Sequence, residues 1–180
     1  VIVIIASAAN LLMITGNFDL SVGSVLAFSG ILHAYLCKHG LPIQLSMAIT
    51  CLAAIGWGGI NALTVSVIGI NPVIATVGTV FIARGVAFLI ARWDGGANIM
   101  LGLPMEFVDF GRELLFGRIP LAIAMMVAAL AIFVFIEKKT VIGRYSFAIG
   151  ANPIAARLSG INVVGIVSLL YVIVALFAGI

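Results

Sequence analysis

The side chains that could do chemistry are few in this chain and lie far apart along it. Asp19 stands between two apolar stretches, and Arg84 and His33 each lie inside one. A charged group between apolar segments costs free energy unless it is paired or faces a polar path, so such residues often mark a functional site. Two alternatives stay open: Asp19 is either a helix cap or a ligand for a solute, and Arg84 either pairs structurally or contacts the solute. His33 is expected to be a packing residue.

Sequence patterns of enzymatic sites are missing from the chain. It contains no glycine–lysine phosphate loop, no His-x-x-x-His zinc motif with glutamate, no Cys-x-x-Cys and no persuasive Ser, His and Asp set. Neither His33 nor His39 has a second histidine or carboxylate at ligand spacing. Cys37 and Cys51 lie in or beside apolar runs and are expected to be packing residues. The sequence therefore predicts no catalytic residue and no metal site, and the chain is not expected to be an enzyme.

The composition is that of a membrane protein. Hydrophobic residues make up 64% of the chain and charged residues 8%, and the mean hydropathy is +1.34. Soluble domains carry about 25% charged residues. The net charge of +3 depends on a handful of side chains, so it does not imply nucleic-acid binding.

Apolar stretches long enough to cross, or nearly cross, a hydrocarbon core of roughly 30 Å recur along the chain. They cover residues 1–15, 20–37, 43–69, 73–90, 120–136 and 163–180. We predict an all-α, polytopic transmembrane bundle with about six membrane segments, forming a single domain over residues 1–180. Because both ends are apolar, the chain is expected to be the central part of a longer protein.

Positive charge gathers in one segment between two apolar runs. Four basic residues stand there against Glu137 alone: Lys138, Lys139, Arg144 and Arg157. The positive-inside rule places residues 137–162 in the cytoplasm. Residues 92–118 carry three arginines against four carboxylates, so we predict that they face the periplasm, with a short helix over residues 106–116.

A short helix is predicted inside the basic segment from the residues that suit its two ends. Asn152 suits the N-cap, Pro153 the first helical position, and Gly160 the residue just past the end. Ile154, Ala155 and Leu158 fall on one side of it. The small residues Ala156 and Ser159 keep its flank thin, and Arg157 places one charge at its edge. The pattern favours a docking element, and the alternative is a helix lying in the lipid headgroups.

Three stretches of the chain resemble the membrane permease subunits of ribose-type sugar ABC importers. They are residues 16–24 (GNFDLSVGS), residues 71–85 (NPVIATVGTVFIARG), and residues 143–163 with Gly-Arg-Tyr, Ala-Ile-Gly-Ala-Asn and Ala-Ala-Arg-Leu-Ser-Gly-Ile-Asn-Val. In that family the third stretch forms the coupling helix, which docks on a separate ATPase subunit. Pro153 and Ile154 stand where the family often has acidic residues.

The resemblance implies two sets of functional residues. The coupling set is Arg144, Asn152, Pro153, Ile154, Ala155, Ala156, Arg157, Leu158 and Gly160. The candidates for the translocation pathway are Asp19, Ser21, Asn71, Thr76, Thr79 and Arg84. The resemblance also implies a multi-pass protein of the bacterial inner membrane that carries a monosaccharide by alternating access.

Partners and cofactors follow from the same resemblance. The chain is expected to work with an ABC ATPase subunit, a second permease subunit, a periplasmic sugar-binding protein and the lipid bilayer. ATP and magnesium are expected on the ATPase, with no cofactor in this chain. The alternative is a secondary transporter or channel for a small polar solute, which would follow an ion gradient and need no ATPase.

Overall fold

The computed structural model describes residues 1–93, 114–115 and 119–179. In that part of the chain the helices are α1 (Ile2–Ile14), α2 (Val22–Lys38), α3 (Ile43–Ala62), α4 (Pro72–Trp93), α5 (Leu121–Lys139), α6 (Val141–Ala151), α7 (Pro153–Leu158) and α8 (Val163–Gly179). A π-helical turn over Leu63–Val67 continues α3. Two strands of two residues each, β1 (Leu114–Leu115) and β2 (Ile119–Pro120), pair in antiparallel fashion. The predicted all-α bundle is confirmed.

Six apolar helices occupy the predicted membrane segments, and they differ in length. Three have the length and apolar character of a membrane span: Ile43–Val67 with 25 residues, Pro72–Trp93 with 22 and Leu121–Lys139 with 19. The other three, α1, α2 and α8, are apolar but shorter. With 13 residues, α1 is about 20 Å long, less than a hydrocarbon core of roughly 30 Å.

The last helix, α8, lies at the centre of the bundle against α1, α2 and α3. Its side chains Leu170, Tyr171 and Val174 are fully buried. Gly58 of α3 lets the two backbones approach closely, because a Cβ there would lie 2.8 Å from the Tyr171 carbonyl oxygen. Outside this core, α4 packs on α2 and α5 packs on α1.

One end of the bundle carries α6 and α7, and we call it the basic end. A common cleft at this end is lined by α7, by the residues that follow α1, by the π-helical turn after α3 and by the first residues of α4 and α8. The connection between α1 and α2, residues 15–21, also lies there, and we call it the helix break. Gly16 in the break has a φ of 80°, a value that glycine adopts without strain.

The basic segment contains more helix than the sequence predicted. Instead of ending at residue 136, α5 continues to Lys139, and α6 follows after Thr140 alone. The Thr140 side chain caps α6 by accepting from the Gly143 N–H at 3.4 Å. A Cβ at Gly143 would overlap with the Glu137 carbonyl oxygen, so glycine is what allows α6 to fold back against the end of α5.

The segment predicted to be periplasmic lies mostly outside the described residues. Its first two residues, Arg92 and Trp93, belong to α4. The helix predicted over residues 106–116 is wrong at Leu114–Leu115, which form β1 and pair with β2. The rest of that predicted helix lies outside the described residues.

Candidate functional site

Asp19 holds the helix break in a turn immediately before α2. Its Oδ1 accepts from the Ser21 N–H at 2.8 Å and from the Ser21 hydroxyl at 2.6 Å. This is an Asx-turn, in which the carboxylate replaces a backbone acceptor. The predicted capping role is therefore refined: Asp19 bonds Ser21, the residue immediately before the helix, instead of the N–H groups of the first helical turn.

Asn61, which the sequence analysis did not single out, joins the break to α3 and α4. Its side chain is fully buried, at 0% exposure. The Nδ2 group donates to Ser21 Oγ at 2.8 Å and to both carboxylate oxygens of Asp19, at 3.4 and 3.3 Å. The Oδ1 atom accepts from the Thr79 hydroxyl at 2.6 Å. An amide side chain far from the start of an apolar helix was the available signal for it.

Thr76 and Tyr171 bind the backbone of the break directly. The Leu20 N–H donates to Thr76 Oγ1 at 3.2 Å, and that hydroxyl donates to the Pro72 carbonyl oxygen at 2.8 Å. From α8, the Tyr171 hydroxyl donates to the Phe18 carbonyl oxygen at 3.0 Å. Backbone groups that the break leaves outside a helix thus find partners within the protein, as non-helical backbone in a membrane protein requires.

We call the set of side chains that meet here the polar cluster. It consists of Asp19, Ser21, Asn61, Thr76 and Thr79. Hydrogen bonds of the cluster join the break to Asn61 of α3 and Thr76 of α4, so in this conformation it locks the break to both helices. Carboxylate, amide and hydroxyl groups are also the partners that a polyhydroxylated solute would use if these bonds opened. Among the described residues, no three His, Cys, Asp or Glu side chains come together as metal ligands would.

Four of the six pathway candidates therefore come together, and two do not. Asn71 is exposed and caps α4, accepting from the Val73 N–H at 3.0 Å. Arg84 lies on the exposed side of α4, away from the buried Ala83 and Ala87. Within the described residues Arg84 has no hydrogen bond or ion pair, so of its two alternatives the structural pairing is not seen there.

The short helix α7 forms as its capping residues predict. Asn152 Oδ1 accepts from the N–H groups of Ile154 and Ala155, at 3.0 and 3.1 Å. At the other end Gly160 has a φ of 84°. Its N–H bonds the Arg157 carbonyl oxygen while the Ile161 N–H bonds that of Ala156, both at 3.0 Å, which is a Schellman motif. The helix is held at both ends by local hydrogen bonds.

The faces of α7 differ from the prediction at one residue. Ile154 is 71% exposed and Leu158 is 85% exposed, and together they form an apolar knob one helical turn apart. Ala156 is only 4% exposed and belongs to the apolar core. Its prediction as a docking residue is corrected, since its side chain points into the protein. Ala155 and Arg157 are exposed, as is Arg144 on α6.

A cleft of about 330 Å³ lies beneath α7 at the basic end. One wall is α7 itself, with Pro153 and Arg157, and another is the helix break, with Asn17. The π-helical turn, with Ser66, and the first turn of α8, with Val163, complete it. The cleft thus lies where α7, the break, the π-helical turn and α8 meet.

Apolar helices around a buried polar cluster, with a helix break and an exposed knob at one end, define a multi-pass helical membrane protein. The chain belongs to the family described as branched-chain amino acid transport system / permease component, whose model matches residues 1–180. Family and apolar helices together make it a multi-pass protein of the inner membrane.

The relatives are similar along nearly the whole chain. The autoinducer 2 import system permease protein LsrD of Klebsiella pneumoniae is 31% identical over 170 residues, which are 93% of this chain and 51% of the relative. The protein of the same name from Yersinia enterocolitica is 29% identical over 179 residues, 98% of this chain and 54% of the relative. The chain thus spans about half the length of these relatives. No solved structure matches.

Proposed function

We propose that the chain is part of the permease subunit of an ATP-driven ABC importer. The observation that carries this proposal is the apolar knob, Ile154 and Leu158, held outward on a helix capped at both ends. Burying these two side chains on a partner contributes about 1.5–3 kcal/mol of binding free energy each, which favours docking of the helix. Membership of a transport permease family supports the same assignment.

The substrate we propose is a small polar solute, either a monosaccharide or autoinducer 2. The resemblance to sugar permeases supports the first, and the names of the relatives support the second. Ribose is not singled out. The polar cluster suits either class, because its carboxylate, amide and hydroxyls can exchange their internal hydrogen bonds for bonds to solute hydroxyl groups.

The mechanism we propose is alternating access in a pair of permease subunits. ATP and magnesium bind the ATPase, which closes and displaces the docked α7, and this displacement rearranges the helices around the polar cluster. A periplasmic binding protein would deliver the solute on the face opposite to the basic end. The chain itself supplies no hydrolytic chemistry.

Two variants of one residue test the docking role. Leu158→Glu places a charge in the proposed apolar contact and should abolish both copurification of the ATPase and ATP-driven uptake in vesicles. Leu158→Met keeps the apolar contact and should retain both. The permease should accumulate normally in each case, since Leu158 is exposed. Full uptake and association with Leu158→Glu would sink the proposal, as would transport by the wild type without any ATPase.

A further inference from the structure

Gly150 of α6 touches the end of α1 through backbone atoms. A Cβ at Gly150 would overlap with the Ile14 carbonyl oxygen and would lie 3.6 Å from the Thr15 Cα. Only glycine permits this approach, because any side chain would force the two backbones apart. The basic segment is thus seated directly on the residue where the helix break begins.

From that contact the path to the polar cluster is short. Thr15 is buried, and the side-chain amide of Asn17 donates to its carbonyl oxygen at 3.3 Å and to its hydroxyl at 3.0 Å. Asp19, the carboxylate of the cluster, follows two residues later. Hydrogen bonds therefore stiffen the break between the Gly150 contact and the cluster.

Toward the other side, α6 continues into α7 without a linker. Asn152 ends α6, with its N–H on the Ala148 carbonyl oxygen at 3.2 Å, and its side chain caps α7. Ile149 and Ala156, one from each helix, are both buried in the same apolar cluster. The two helices are consequently one stiff piece, with the knob at one end and Gly150 near the middle.

The π-helical turn after α3 stands across the cleft from this piece. Its Ser66 hydroxyl is buried and has no hydrogen-bond partner among the described residues. π-helical turns are rare and occur frequently at functional sites. Val65 of the same turn is buried in one apolar cluster with Ile149 and Ala156, so the stiff piece packs against the turn in this conformation and the cleft lies beside that contact.

We propose that Gly150 is the positioning residue through which displacement of α7 reaches the polar cluster. In this proposal α6, α7 and the helix break move as one unit relative to α3 and its π-helical turn, and this movement opens the hydrogen bonds from Asn61 to Asp19 and Ser21. The inference rests on the proposed function, because it takes α7 as the helix that the ATPase displaces. It adds the route by which the displacement of α7 reaches the polar cluster. This route runs through the end of α1, not through the chain connection from α7 into α8.

Gly150→Ala tests the route, with Gly30→Ala as the matched control. A Cβ at Gly30 meets no atom within 4 Å, whereas at Gly150 it overlaps with Ile14. For Gly150→Ala we expect normal ATPase copurification and a fall in solute imported per ATP hydrolysed of about 3- to 30-fold. Gly30→Ala should keep the wild-type ratio. An unchanged ratio in Gly150→Ala contradicts the inference while leaving the ATPase-binding proposal intact.

Cross-linking across the cleft gives a second test that does not depend on the folding of that variant. In a background without Cys37 and Cys51, cysteines replace Asn17 and Pro153 in one protein and Ser66 and Pro153 in another. The shortest bifunctional thiol reagent that joins each pair is applied before uptake is measured. Joining 17 to 153 links parts of one unit and should preserve uptake, whereas joining 66 to 153 should abolish it. The reverse pattern, or equal effects, overturns the inference.

Discussion

The side-chain amide of Asn61 in α3 donates to the Ser21 hydroxyl at the start of α2, over 2.8 Å, with both residues fully buried. The same amide reaches the Asp19 carboxylate, and its oxygen accepts from Thr79. A single side chain therefore connects the helix break with two other helices. Buried networks of this kind are stabilising only while every member keeps its partners.

Replacing Asn61 by leucine should destabilise the bundle. Leucine has a similar volume but removes the donor that Asp19 and Ser21 share and leaves the Thr79 hydroxyl only the Ala75 carbonyl oxygen, at 3.3 Å, so we expect a loss of about 2 kcal/mol or more. Asn10→Leu is the control: Asn10 is exposed and makes one long hydrogen bond, 3.4 Å, to Glu137. Thermal unfolding in detergent should show a clear drop for Asn61→Leu and little change for Asn10→Leu. Equal melting temperatures would mean that the cluster contributes nothing to stability.

Two substitutions of Asp19 distinguish a role of its side chain in forming the turn from a role that needs its charge. In Asp19→Asn the side-chain oxygen can still accept from the Ser21 N–H, so folded yield and most transport should persist. Asp19→Leu removes the acceptor and should lower the folded yield. Both are measured by size-exclusion of the extracted protein and by uptake in vesicles. Normal yield with no transport in Asp19→Asn would show that the carboxylate charge itself is required.

Tryptophan at two positions of α7 should give opposite results. Ala156 is 4% exposed, so Ala156→Trp overpacks the core and should cost about 1–3 kcal/mol or more, reducing the amount of folded protein. Leu158 is 85% exposed, and Leu158→Trp should leave the folded amount unchanged. Fluorescence-detected size-exclusion compares the two. Normal accumulation of Ala156→Trp would contradict the inward direction of this side chain.

The orientation of the bundle can be tested by labelling single cysteines in intact cells, again without Cys37 and Cys51. Phe147 is 50% exposed on α6 at the basic end, and His39 is exposed in the connection between α2 and α3, at the opposite end. The positive-inside rule predicts that an impermeant thiol reagent labels His39→Cys and not Phe147→Cys. Labelling after cell lysis confirms that both thiols react. External labelling of Phe147→Cys alone would invert the topology.

Features that depend on neighbouring residues in the chain could be predicted from the sequence. Composition and long apolar stretches determine that this is a helical membrane protein, and the helices begin and end near the predicted residues. Asn152, Pro153 and Gly160 delimit α7 as predicted, because the hydrogen bonds at the two ends of this helix join residues two to five positions apart. Asp19 could likewise be tied to the start of α2, since its partner Ser21 is two residues away.

Features that depend on distant residues were decided by the tertiary structure. Asn61 bonds Ser21 across 40 positions and Thr79 across 18, so no local pattern distinguishes it from another polar residue in an apolar helix. Gly150 lies within α6, and only the tertiary structure shows why it is glycine: it faces the Ile14 carbonyl oxygen of α1, which a Cβ would overlap. The inward direction of Ala156 has the same origin. A helix of six residues can present any side to its protein, and packing against the core chooses which.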